Sequence, residues 1–151
     1  MIKNLSILLF ICLIILQFFG PSLPEVSNIN PNDLIDNNPE IPEDIKTTLQ
    51  VSCYDCHSNE TKYPWYSSIA PVSFLVVRDI NHARDELNFS NWEDMSKLDK
   101  ASALDDISDV IIDNEMPMAI YTAMHRGTSL SNNQKESLVL WAEEFSDHMF
   151  D

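Results

Sequence analysis

The chain has 151 residues, 44% of them apolar and 22% charged, with two glycines and eight prolines. That length suits one domain with one modest core. Twenty-four acidic against nine basic residues give a formal charge of −15, which leaves no cationic face for phosphates and excludes a nucleic-acid partner. Two glycines exclude the glycine-rich phosphate cradles of nucleotide enzymes, and three cysteines cannot build a multi-disulfide scaffold.

Lys3 precedes an apolar run from Leu5 to Phe19, broken only by Ser6 and Gln17 and followed by Gly20-Pro21. A positive charge ahead of a short apolar run is the pattern of an export signal. The run falls short of the ~20 residues of a comfortable bilayer span. No Ala-x-Ala cleavage site follows, so residues 1–20 are expected to be a signal or an uncleaved N-terminal membrane anchor. Cys12, preceded by Ile11 where a lipidation signal wants a small residue, reads as an ordinary apolar passenger. Beyond residue 20, eight basic and 24 acidic side chains leave a formal charge of −16. The expectation is a domain exported across the inner membrane to the periplasmic side and held at the membrane.

Residues 21–40 are polar, with proline and asparagine throughout, and read as a tether with little apolar surface to bury. Residues 41–151 read as the folded domain. Its periodicity is helical, and no stretch shows sustained alternation or hairpin chemistry. Pro42-Glu43-Asp44 looks like a helix first turn, with Ile45, Leu49 and Cys53 following on one face. Pro71 opens a second helix carrying Phe74, Val77, Ile80, Ala83 and Leu87. Ser90-x-x-Glu93 reads as a capping box before a third helix with Leu98, Ala101, Leu104, Ile107 and Ile111. Ser131-x-x-Gln134 is another, before a last helix bearing Leu138, Trp141, Ala142 and Phe145. A loop with Met116-Pro117 lies between them. The fold class expected is all-α, a bundle of four to five helices.

Cys53-Tyr54-Asp55-Cys56-His57 is C-x-x-C-H, the attachment sequence of c-type haem. Two thiols three positions apart can each add to one vinyl group of a single porphyrin, giving one haem held through two thioethers. The adjacent histidine is then placed to ligate the iron. Covalent capture also accounts for two neighbouring thiols in an oxidising compartment. A Cys53–Cys56 disulfide would close too short a loop to matter. A zinc site would need two further ligands, and a thioredoxin-like pair would need a sheet around it.

The arrangement of C-x-x-C-H, a later Met116-Pro117 loop and a final amphipathic helix resembles a class I cytochrome c. More closely, Cys53 to His57, Tyr63-Pro64-Trp65-Tyr66, Ile69-Ala70-Pro71-Val72-Ser73, His82-x-Arg84 and Leu87-Asn88-Phe89-Ser90-x-Trp92 resemble the bacterial haem-binding domain family of small exported proteins. The likeness spans about residues 40 to 147 and continues through Tyr121, His125 and Leu138-x-x-Trp141. It implies covalent haem and an envelope location, and a cytochrome c-like bundle around the group.

For the second axial position, the resemblance to class I cytochromes points to Met116, a methionine just before a proline in a loop leading to the last helix. Met118, His82 and His125 are the alternatives, and an open iron is the other. Arg84 is a candidate partner for a haem propionate, with Arg78 and Arg126 behind it and surface ion pairs as the competing role. Trp65, Tyr66, Phe74, Phe89 and Trp92 are candidates to line or support the haem. Asp105, Asp106 and Asp109 read as a solvated helix face. The expected function is one-electron transfer to membrane-associated redox proteins, without enzymatic activity. The rivals are binding or sensing of a small ligand at an open iron, and a peroxidase-like reaction, for which no dedicated acid–base pair is present.

Overall fold

The computed structural model describes residues 2–150. Among them the chain forms helices and turns and no strand: α1 (Ile2–Leu16), α2 (Leu34–Asn37), α3 (Glu43–Ser52), α4 (Tyr54–His57), α5 (Val72–Glu86), α6 (Lys97–Ile112), α7 (Ala119–Met124) and α8 (Asn132–His148). Short 3-10 turns follow α1 and flank α5. The all-α class expected from the periodicity is the observed one.

The four long helices of the domain begin and end for local reasons. Pro42 caps α3, whose first turn carries Glu43 and Asp44 at the positive end of its dipole. Pro71 caps α5. The N-terminus of α8 is the reciprocal capping box between Ser131 and Gln134 that the sequence announces. The start of α6 differs from expectation. Its cap is Ser96, whose hydroxyl accepts from the Asp99 N–H, while Phe89–Asp94 forms 3-10 turns. Ser90 is buried instead, accepting from the Asn59 N–H at 3.0 Å and donating to Asp33 at 3.4 Å. A serine three before a glutamate thus signals a cap only when no tertiary partner claims its hydroxyl.

The core is one cluster. Leu104 and Ile111 of α6 meet Leu138, Trp141 and Ala142 of α8, with Ile45 and Leu49 of α3, Tyr54 of α4, and Phe89 and Trp92 completing it. Two side chains assigned to core-facing stripes point outward: Leu98 is 74% exposed and Phe74 is 41% exposed. Gly127 sits at φ +88, a backbone conformation that only glycine adopts without strain.

Residues expected in the tether also belong to the core. Asp33, Leu34 and Ile35 are buried, and Asp33 caps α2 through the Ile35 N–H. Asp33 also accepts from the Tyr54 hydroxyl at 3.0 Å. Its carboxyl is pushed above the usual carboxylate range by burial, against the opposing pull of these donors. The segment before it runs over the domain rather than away from it. Ser27 N–H donates to the Asn59 carbonyl at 2.8 Å, and the Tyr63 hydroxyl donates to the Pro24 carbonyl at 2.7 Å.

α1 ends where Gln17 leaves it. The Gln17 amide donates to the Ala70 carbonyl and accepts from the Ala70 N–H, both at 3.0 Å. This side chain therefore reads the backbone of the domain as a neighbouring strand would, and the chain turns at Gln17–Phe19. No helix among the described residues is long and apolar enough to cross a membrane, so a membrane-spanning anchor in residues 1–20 is not supported.

Leu34→Ala should lower unfolding stability by about 2–5 kcal/mol, the cost of emptying a fully buried leucine site. A denaturant titration checks it. A residue in a solvated tether would give no measurable change.

Candidate functional site

α3 stops at Cys53, whose N–H closes the last turn on the Leu49 carbonyl. The Cys53 carbonyl then accepts from both the Cys56 N–H at 3.1 Å and the His57 N–H at 2.9 Å, winding α4 into a single turn. Residues three apart on such a turn are neighbours on its surface, so both thiols stand on one short rigid unit. Neither is in a disulfide. Burial pushes the Cys53 thiol up to about 12, with Cys56 adding to the shift. Burial likewise pushes Cys56 up to about 11, helped by the Asp55 and Asp79 carboxylates and opposed by Arg84.

His57 is mostly enclosed, its ring 6.2 Å from that of Phe89. Nδ1 lies 3.1 Å from the Leu87 carbonyl. A carbonyl oxygen can only accept, so Nδ1 carries the proton of the neutral ring and Nε2 keeps its lone pair. Burial holds the imidazole pKa below its ordinary value, although the Leu87 and Ala83 carbonyls pull the other way. The ring is therefore neutral at pH 7 and available as a donor ligand, with its orientation fixed from behind as metal-ligating histidines usually are.

Beside α4 lies a cavity of about 260 Å³, open on one side and predominantly apolar. α5 contributes Val72, Leu75, Val76, Asp79 and Ile80, the i, i+3, i+4, i+7, i+8 stripe of one helix face. The loop before it adds Tyr63, Pro64 and Tyr66, α4 adds Asp55 and Cys56, and the α7 region adds Met118, Ile120, Tyr121, Met124 and His125. Two polar links fix α7 over this space. The Tyr121 hydroxyl donates to Asp55 at 2.9 Å, and the Tyr66 hydroxyl pairs with His125 Nε2 at 3.1 Å. Burial and the adjacent Asp55 carboxylate raise the Tyr121 pKa well above the phenol range.

The expected site residues divide. Cys56, Met118 and His125 line the cavity; Cys53, His57 and Met116 do not. Both ring nitrogens of His125 are engaged, Nδ1 with the Tyr121 carbonyl at 3.0 Å. The His82 side chain is 74% exposed, 3.9 Å from Glu86 on the outer side of α5. Arg84 is occupied structurally: it donates to the Ser58 carbonyl, the Glu25 carbonyl and the Thr61 hydroxyl at 2.9–3.0 Å. Arg78 pairs with Asp79 at 2.7 Å. Of the aromatic candidates, Tyr66 lines the cavity and Phe89 backs His57, stacked on Tyr54 at 5.2 Å. Trp92 is core, whereas Trp65 is 82% exposed and lies outside the lining with Phe74.

Sequence reasoning picked out Ile80 but missed Val72, Leu75 and Val76 of the α5 stripe, because α5 is apolar on two faces and a stripe through Phe74 and Val77 fits the periodicity equally well. It also missed Asp55, whose partner Tyr121 is 66 residues away in the chain.

The model of a haem-binding domain matches residues 11–144. The chain belongs to the haem-binding domain family. No curated protein and no solved structure matches it. The residues present fit a haem: two thiols outside any disulfide on one turn, a neutral imidazole held through Nδ1, and an apolar cavity that Cys56 of the same turn lines. Among the described residues no group of three or more His, Cys, Asp and Glu side chains could hold a metal ion unaided.

Before any attachment, Cys53 and Cys56 of the folded chain should resist iodoacetamide at pH 8, where both react readily in the urea-unfolded chain; the exposed Cys12 reacts in either state. Because the folded thiols release protons near 11–12 and an unperturbed thiol near 9, the unattached fold should also lose stability as pH rises from 9 towards 12. The unfolded chain gives up those protons first. Denaturation midpoints at pH 8 and 10 check the sign.

Proposed function

We propose that this haem-binding domain is a c-type cytochrome that carries single electrons in the cell envelope. The observation that carries the reading is the C-x-x-C-H turn itself: Cys53 and Cys56 on one unit with His57 held by the Leu87 carbonyl. In this reading the two cysteines would hold one haem through thioethers and His57 would offer Nε2 to its iron. When bound, the iron supplies a one-electron couple whose potential depends on its axial ligands and burial.

The 116–118 loop would supply a methionine thioether as a further ligand to the iron. The sequence favours Met116. The cavity favours Met118, which lines it, while Met116 does not. His82 is disfavoured by its place on the outer side of α5, and His125 by the partners on both its nitrogens. Leu75, Val76 and Ile80 exclude water from the cavity wall, and Tyr66 and Tyr121 hold α7 across it. Arg84 positions the loop after His57 by pinning Ser58 and Thr61. No acid–base pair stands in the cavity free of other partners, which favours a carrier over an enzyme. Export to the periplasmic side, with membrane-associated redox proteins as partners, follows from the oxidising chemistry that free paired thiols would otherwise meet and from the apolar leader.

Protein co-expressed with a c-type maturation system should retain haem colour on a denaturing gel, and Cys53→Ala with Cys56→Ala should lose it. Its reduced spectrum should be six-coordinate and low-spin and unaltered by CO. A high-spin spectrum that shifts promptly with CO would replace the carrier with a small-ligand sensor.

Met118→Ala should turn the low-spin spectrum high-spin, while Met116→Ala leaves it unchanged. The reverse result returns the assignment to Met116.

A further inference from the structure

None of the 24 acidic residues lies within 1–24, 61–78 or 116–135. The fold gathers these three stretches onto one side. Gln17 pairs with the backbone of Ala70, Tyr63 with Pro24, and Tyr66 with His125. In a domain with a formal charge of −16 beyond residue 20, these stretches thus bring no carboxylate of their own to that side, although Glu25 and Glu60 border them and Asp55 and Asp79 line the cavity. Asp55 accepts from Tyr121 and the Lys62 N–H, and Asp79 pairs with Arg78.

That face is also apolar and aromatic. Phe18 is 83% exposed, Phe19 71%, Trp65 82% and Ile69 43%. Leu75 and Ile120 are exposed as well and line the cavity. Scattered apolar side chains on a surface need no explanation, but a contiguous patch rimmed by charge marks an interaction site.

We propose that this face rests on a lipid bilayer, buried to the boundary between headgroups and acyl chains. α1 selects the occupant. From Leu5 to Ile15 its apolar side chains are exposed all round, the polar Lys3, Asn4 and Ser6 lying together in the first turns, and Gln17 ties its end directly to the face. Fifteen residues of helix reach about 22 Å, short of the ~30 Å hydrocarbon thickness. An apolar helix of that length can enter one leaflet without crossing, and it draws the surface it grows from down to the interface. Tryptophan and phenylalanine suit that depth, where an apolar body meets a wet boundary. The missing carboxylates remove the repulsion that anionic headgroups would otherwise exert. The inference stands on this surface alone and holds whether or not the proposed haem assignment does.

The test uses the full chain reconstituted into phosphatidylethanolamine–phosphatidylglycerol vesicles that contain a lipid with a diazirine near the top of its acyl chain. After illumination, lipid adducts should appear on peptides covering 65–76 and 119–124 as well as on α1. Trp65→Glu combined with Ile69→Glu should cut the adducts on those two peptides about tenfold, as charge at an interface would, and leave those on α1. Adducts confined to α1 would overturn the proposal. So would protein–protein cross-links joining the 65–76 peptides of two copies, which would make the face a self-association surface.

Discussion

The hydrogen bond between His57 Nδ1 and the Leu87 carbonyl is the contact on which the site depends. It is available because α5 ends there. Leu87 closes the helix through its N–H on Ala83 and then adopts an extended backbone, which turns its carbonyl away from the helix axis. Asn88 caps the following turn and reaches Asn59 at 2.9 Å, while Phe89 stacks on Tyr54. The stretch from Leu87 to Ser90 thus recognises the stretch from Tyr54 to Asn59 side chain by side chain. One tautomer of His57 follows, with its reactive nitrogen fixed in direction by a partner that cannot accept any other arrangement.

Around that contact the chain before residue 41 acts as a strap. Arg84 ties Glu25, Ser58 and Thr61 together through one guanidinium. Asp33 is held between Tyr54 and Ser90. A buried carboxylate costs several kcal/mol unless hydrogen-bonded, and here the donors come from both sides of the site. The strap therefore locks the C-x-x-C-H turn from outside, just as Leu87 locks it from behind.

The C-x-x-C-H motif and the start of α8 were legible because each is local: five contiguous residues, or a serine and a glutamine three apart. The long helices were legible from their periodicity. The strap was not, because its apolar content is two adjacent residues, Leu34 and Ile35, amid prolines and asparagines, and burial there is decided by Asp33 finding Tyr54 across the fold. Ser90 misled for the same reason. Its local pattern matched a cap, yet Asn59 and Asp33 were nearer competitors for its hydroxyl. Arg84 reads in the sequence as a propionate partner or a surface ion pair, and only the tertiary structure shows its donors turned to Ser58, Glu25 and Thr61. Met116 and Met118 share a loop, so sequence could rank them only by the proline beside one of them.

The electrostatics of the cavity bear on what an iron placed there could do. Uncompensated carboxylates near a redox centre favour its oxidised, more positive state, and the effect grows as water is excluded. Of the 24 acidic residues, the two that line the cavity are each offset, Asp55 by the Tyr121 hydroxyl and the Lys62 N–H, Asp79 by the Arg78 guanidinium. The remaining charge sits on other faces and is screened over about a Debye length. Under the proposed function, the local levers on the potential of a bound haem would then be the side chains that ligate its iron and the apolar wall of α5.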